Sequence, residues 1–390
     1  MFSIPTLVSL FLAVPTLVLS SPCVTFDADF NLLAFGFDGK DWNAGTQDTW
    51  TTGSATDITT TGRPPFDGTN TTCYLAQFFN AVYIMNGDAS NPSAVHIYDA
   101  AAKSWSTQAV TTGTFDPSSF DAILDHDTNV FYALSHGELF FLNMDDLKVA
   151  NSTAMAWTDV EKSPYGADYQ PVMALASNHI HFLNVPDTPA GDAQIFVIHF
   201  SFFQPAPQPY PLSDGSAIPA THGQTASFFQ ASGVQQEFAF IPDDGSATYV
   251  IDVLTNTTQK LAGPTTKDSK ATYAASITAL VELDSTGALS FLPYKQGDDS
   301  ANTAATWTKL SKVAVPSSVS ASSGTSATKS GVPTAVATNL AGGANATNSA
   351  ASGKSTGGAS QASGASSLGS HGTSAGMMLA GVLAFFAFLL

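Results

Sequence analysis

The sequence predicts an all-β chain folded as a single β-propeller of six blades, with seven left open, followed by a disordered stalk. Three observations carry this expectation. Between Cys23 and Val313, short apolar runs are broken by Gly, Asp, Asn, Ser or Pro clusters at about 8–12 residues, the rhythm of short strands and turns. No i, i+3, i+4, i+7 apolar pattern lasts long enough for a major helix. Large closing residues recur at Trp50, Trp105, Trp157, Tyr210, Leu261 and Trp307, at intervals of 55, 52, 53, 51 and 46 residues.

Each interval is organised alike. An apolar strand precedes each closer from Trp105 onward: VHIYD (95–99), LFFLNMD (139–145), IFVIHF (195–200), YVIDV (249–253) and LSFLPY (289–294). Another stands before it: AVYIM (81–85), NVFYAL (129–134), HIHFLNV (179–185), EFAFI (237–241) and ITALVEL (277–283). The first unit is shorter, with NLLAFGF (31–37) ahead of Trp50, and leaves room for a composite seventh blade. A period near 50 residues with three or four strands suits propeller blades, which bury their faces only against neighbours. Trp50, Tyr98, Asp99, Trp105, Trp157 and Trp307 are therefore read as blade packing, not as ligand stackers. Two β-sandwiches would supply the same short strands but no constant spacing of closers.

The order apolar strand, Gly turn, strand ending in aromatic-Asp, loop and Trp resembles the kelch repeat, also found in the propeller of secreted fungal galactose oxidase. Tyr98, Asp99 and Trp105 carry the resemblance. Asn86-Gly87 stands where the family has a Gly-Gly doublet, and Val185-Pro186 stands there in another unit. The resemblance spans 23–313. It raises copper oxidation, which in that family needs two Tyr, two His and a crosslinked Cys; no aligned set is present, so the activity is not carried over.

Both ends look processed. Ile4 to Leu19 is apolar and leads to Val18-Leu19-Ser20, so residues 1–20 read as a secretory signal peptide. Met377 to Leu390 is a short apolar tail behind a polar spacer and the small triplet Ser363-Gly364-Ala365. Too short to span a bilayer comfortably, it fits a GPI-attachment signal over 364–390, with Ser363 or Gly364 as the attachment residue. Residues 314–363, rich in Ser, Thr, Ala and Gly, read as a glycosylated stalk that cannot bury enough apolar surface to offset its ordering entropy. The expected location is the cell surface, anchored to the plasma membrane or transferred to the cell wall. A signal anchor and a tail-anchored helix are the alternatives at the two ends.

All 31 Asp and Glu lie at or before Asp299, and every Lys and Arg except Lys329 and Lys354 lies at or before Lys312, so residues 1–312 carry a charge of −20. Such a surface repels phosphate backbones, and nucleic acid is excluded as a partner. Cys23 and Cys73 are the only cysteines. In an oxidising compartment they read as one disulfide, which contributes roughly 4 kcal/mol by restricting the unfolded chain. Sequons stand at Asn70, Asn151, Asn256 and Asn345; Asn91 is excluded by the following Pro.

Candidate chemistry is sparse. His179 and His181, two apart on a strand, share a face and could reach one metal ion, but no third ligand is identifiable. Asp125-His126-Asp127 has the elements of a tuned general base, yet reads more simply as a capped turn. Asp27-Ala-Asp29-Phe-Asn31 begins like a calcium loop, but Leu32 occupies the position that requires Gly. Carboxylate pairs for glycoside hydrolysis stay open, since acidic residues abound. Pro205 to Pro211 could offer a polyproline surface, although an extended connection explains it. No cofactor is expected. The expected function is a GPI-anchored surface glycoprotein whose propeller binds a glycan or a partner protein without catalysis. An extracellular carbohydrate oxidase or hydrolase, and a structural cell-wall mannoprotein, are the alternatives.

Overall fold

The computed structural model describes residues 20–314. Its strands form six antiparallel blade sheets, each built from one contiguous stretch of chain, and a short parallel pair of Val110–Thr111 with Met155–Ala156. Blade 1 comprises Cys23–Phe26, Leu32–Phe37, Lys40–Gly45 and Thr56–Asp57. Blade 2 comprises Thr72–Ala76, Ala81–Met85, Val95–Asp99 and Ser104–Gln108. Blade 3 takes Asp121–Asp125, Val130–Ser135, Glu138–Asn143 and Thr158–Lys162. Blade 4 takes Met173–Ala176, His179–Phe182, Asp192–Val197 and Phe202–Phe203, and Gln208–Pro209 also pairs with its third strand. Blade 5 has Gly223–Ser227, Glu237–Pro242, Ala247–Asp252 and Thr257–Ala262. Blade 6 has Thr272–Ala275, Ala279–Leu283, Leu289–Pro293 and Thr308–Leu310.

The first strand of each blade packs against the first strands of the blades beside it, and blade 1 meets blade 6, so the ring closes. The fold is a six-bladed β-propeller. No composite seventh blade exists among the described residues. The short first unit is a whole blade whose outer strand is only two residues long. Ring closure rests instead on apolar packing, with Trp50 set edge-on to Phe291 of blade 6 at 5.1 Å. The outer rim is fastened there by Ala55 N–H donating to the Lys312 carbonyl at 3.3 Å.

Six apolar clusters fill the six gaps between neighbouring blades. Tyr98 and Trp105 of blade 2 meet Phe35 of blade 1 at 5.2 and 5.3 Å. Trp157 stacks on Phe115 between blades 2 and 3 at 4.1 Å. Tyr210 is buried between blades 4 and 5, and Trp307 between blades 5 and 6, with its indole N–H donating to the Ala262 carbonyl at 2.9 Å. Trp50 lies off the outer strand and caps the 3-10 turn Gln47–Thr49 between the third and fourth strands. Asp99 is buried in blade 2, where its Oδ1 accepts the N–H groups of Ala101 and Ala102 at 3.0 and 2.9 Å and so shapes the hairpin into the outer strand.

The innermost strands leave backbone edges facing the axis, and side chains from neighbouring blades cover several of them. Asp121 Oδ2 accepts Met173 N–H at 3.0 Å. Ser227 Oγ accepts Leu175 N–H at 3.2 Å, and Thr225 donates its hydroxyl to the Met173 carbonyl. Edges satisfied in this way cannot recruit another strand. The Cys23–Cys73 disulfide joins the innermost strands of blades 1 and 2, with Cα atoms 5.8 Å apart. It staples the N-terminal blade to its neighbour.

Because the strands alternate in direction, each blade sends its first-to-second and third-to-fourth loops to one end of the propeller, called here the hub end. Second-to-third loops and the blade-to-blade connections lie at the other, the strap end. Among the described residues, no helix is long and apolar enough to cross a membrane.

Candidate functional site

At the hub end the inner loops converge on the axis. The longest, residues 228–236 of blade 5, is anchored by Phe228, which stacks on Tyr294 at 4.1 Å and donates its N–H to the Glu237 carbonyl at 2.9 Å. From there it reaches other blades. Phe229 meets Phe30 of blade 1 at 6.0 Å and His126 of blade 3 at 5.4 Å. The Gln230 carbonyl accepts from Gln77 Nε2 of blade 2 at 3.3 Å, and the Gln235 carbonyl accepts Ser177 N–H of blade 4 at 2.7 Å. Blade 2 lies opposite blade 5 in a ring of six, so the loop crosses the axis and caps the channel.

Neighbouring turns are built to receive it. Asp27 Oδ1 accepts the N–H groups of Asp29 and Asn31 at 3.0 and 2.9 Å, which presents Phe30 in a left-handed conformation at φ 57°. The carboxylate suspected of starting a calcium loop is thus committed to its own turn. Asn80, also left-handed, accepts Ala28 N–H on Oδ1 at 2.9 Å and ties the blade 1 and blade 2 turns together.

His126 sits at the centre. Its ring lies between Phe78, at 5.6 Å and nearly parallel, and Phe229. The residue is only 2% exposed, and neither ring nitrogen has a hydrogen-bond partner. Asp127 is the nearest carboxylate, with Oδ1 3.5 Å from Nε2. Burial pushes the imidazole pKa down, against the pull of Asp127 and Asp125, so neutral pH leaves it uncharged. Asp125 caps the turn as expected, its Oδ2 accepting from Thr128 Oγ1 at 2.6 Å, but its Oδ1 is buried without a partner. Burial raises its pKa. The triplet is therefore a turn with an apolar-caged histidine at its tip, an arrangement that residue types alone did not reveal.

The exposed large apolar side chains among the described residues follow the same polarity. Phe78, Val149, Phe200, Phe202 and Leu254 are 42–75% exposed. Phe78 belongs to a first-to-second loop, and the other four to third-to-fourth connections or the strand start just beyond. Val149 lies in the loop that folds over the outer strand of blade 2, where Ala150 N–H donates to Ser106 Oγ at 2.9 Å. None of the five is at the strap end.

The strap end is polar, and several of its charged side chains pair within the fold. Arg63 forms a two-point pair with the fully buried Asp41 at 2.7 and 2.9 Å while covering the Phe66 ring. His136 pairs with Asp116, and His222 with Asp243, both at 2.9 Å. Asp121, half-buried on the innermost strand of blade 3, has its carboxyl pushed up to about 6 by burial.

His179 and His181 lie on the second strand of blade 4 but in unlike surroundings. His179 is half-buried, with Nδ1 2.6 Å from the Ser177 carbonyl. His181 is buried between Tyr210 and Phe238 at 5.9 and 5.5 Å, and burial drives its pKa down to about 3. No group of three His, Cys, Asp or Glu side chains suited to a metal ion occurs among the described residues. Asn70, Asn151 and Asn256 are exposed. Asn345, Ser363, Gly364, nearly all of the leader and stalk, and the anchor signal lie outside the described residues.

No protein-family model matches the chain, and no curated protein matches it. Among solved structures, it is similar to a chain of the crystal structure of a nidogen/laminin complex, with 9% identity over 62% of this chain and 79% of that one and a TM-score of 0.38.

Proposed function

We propose that the protein is a GPI-anchored surface glycoprotein whose propeller binds a partner protein through the hub end, without catalysis. The observation that carries this reading is the segregation of exposed Phe78, Phe200, Phe202 and Leu254 to that end. Apolar side chains scattered singly need no explanation, whereas a group confined to one surface marks an interaction site. The rings are phenylalanines without a hydroxyl or indole donor, and an aliphatic side chain accompanies them. They offer contact area more than hydrogen bonds, which suits a protein surface. A glycan is the second reading, favoured by the Gln77 amide beside Phe78. The acidic net charge favours a partner with basic groups around its apolar patch.

Secretion and anchoring belong to the same proposal and rest on the two end segments. Phosphatidylinositol-specific phospholipase should release the protein from intact cells; retention after treatment would refute the anchor. For binding, the ectodomain 21–313 is added to cells lacking the protein and to a glycan array. Saturable binding to protease-sensitive sites supports a protein partner, and array binding supports the glycan reading. Turnover of any sugar, or stoichiometric copper in the purified ectodomain, would replace both with an enzyme.

A further inference from the structure

A cleft opens at the strap end between blades 2 and 3, lined by Asn70, Thr72, Tyr74, Asn86, Phe120 and Asp121, with about 310 Å³ of open space. It is a shallow cleft open to solvent, against which one face of a sugar ring attached at its rim can lie. Its walls are fixed. The strap before blade 2 runs so close to Asn86 that a Cβ on Gly68 would fall 1.8 Å from the Asn86 carbonyl oxygen, which also accepts from Thr71 Oγ1 at 2.8 Å. Tyr74 is braced edge-on against Phe131 at 5.0 Å. The lining combines two aromatic rings with amide, hydroxyl and carboxyl groups, the mixture that receives the apolar faces and hydroxyls of a pyranose.

Asn70 distinguishes this cleft from an ordinary groove. It is exposed, held left-handed at φ 55°, and is both a wall of the cleft and the acceptor of the Asn70-Thr71-Thr72 sequon. Asn151 and Asn256 lie instead in third-to-fourth loops at or near the hub end, away from this cleft. We propose that the cleft seats the first sugar of an N-glycan carried by Asn70, so that the modification packs as part of the propeller. The inference rests on the secreted-glycoprotein reading. In the modification, a lipid-diphosphate oligosaccharide donor gives up its sugar: the anomeric carbon bonds to the Asn70 amide nitrogen, that nitrogen loses a proton, and the lipid diphosphate leaves.

The test is site-resolved mass spectrometry of the native, secreted protein during digestion with peptide N-glycosidase. Two ordinary hydrogen bonds favour the seated sugar by about tenfold, so release at Asn70 should be about tenfold slower than at Asn151 and Asn256. Ser118→Trp, an exposed substitution on the cleft rim, leaves the sequon and core untouched and fills the space. It should bring release at Asn70 up to the rate of the other two sites. Equal rates in the wild type would overturn the proposal, as would slow release that persists in S118W. An unmodified Asn70 beside occupied Asn151 and Asn256 would also overturn it. Absence of glycan at all three sites would overturn the secretion reading, and this inference with it.

Discussion

The two ends of the propeller are made from the same six blades yet follow opposite rules. At the strap end, carboxylates meet cations, imidazoles or backbone N–H groups, as in Arg63–Asp41, His222–Asp243 and Asp121–Met173. At the hub end, a long loop crosses the axis, a neutral histidine is caged without partners, and phenylalanines face solvent. Stability and display are thus divided between the ends. The strap end holds blades in register, while the hub end presents surface that folding does not use.

Substitutions sharpen this division, and the largest effect belongs to the strap end. Arg63→Ala leaves the Asp41 carboxylate buried without its cation, which should cost about 3–5 kcal/mol in urea unfolding. A loss below about 1 kcal/mol, the scale of a surface ion pair, would place this pair among ordinary exposed ones.

Next comes acid sensitivity. The unfolded chain protonates His181 near pH 6.5, whereas the folded chain does so only near 3. Between those values the unfolded state holds the extra proton, so stability falls as pH drops. His126 adds in the same direction. Asp121 acts oppositely: its raised pKa contributes stability below about 4 that is lost as pH rises through about 6. His181→Phe should therefore remove roughly 2–3 kcal/mol of the decline between pH 7 and pH 4. A variant with the wild-type pH profile would contradict the assignment.

Smaller still is the effect of His126→Phe. It removes two partnerless nitrogens from an aromatic cage and should be neutral or stabilising by about 1 kcal/mol. Marked destabilisation would mean that the ring nitrogens make bonds essential to the hub. Phe200→Ser and Leu254→Ser should change unfolding free energy by no more than about 0.5 kcal/mol, since both side chains are largely exposed.

The sequence made the middle of each blade legible and hid its two edges. Second and third strands such as AVYIM and VHIYD are continuous apolar runs because both faces are buried, and they fall where the pattern places them. Innermost strands escape notice because crowding at the axis favours short, small or polar segments, as in MALA, GQTAS and TYAA. Their Thr, Ser and Asp side chains cap neighbouring edges, a role invisible in a linear pattern. Outer strands are equally faint: Thr56–Asp57 is so short that the first unit looked incomplete. At the hub, residues 228–236 carry the Gln, Ser and Gly of any polar loop, and nothing local says that they cross the axis. Burial of His126 depends on Phe229, which lies 103 residues away in the chain.

The central claim, that the hub end is the binding surface, is tested most directly by comparing two variants of the secreted ectodomain for binding to intact cells. One carries Phe200→Ser and Leu254→Ser at the hub end; the other carries Asp187→Ser and Lys267→Ser at the strap end. Both should unfold with the wild-type midpoint. The hub variant should lose at least about tenfold in affinity, the effect of removing one modest hot spot, and the strap variant should bind as the wild type does. Wild-type binding by the hub variant, or loss confined to the strap variant, would contradict the account.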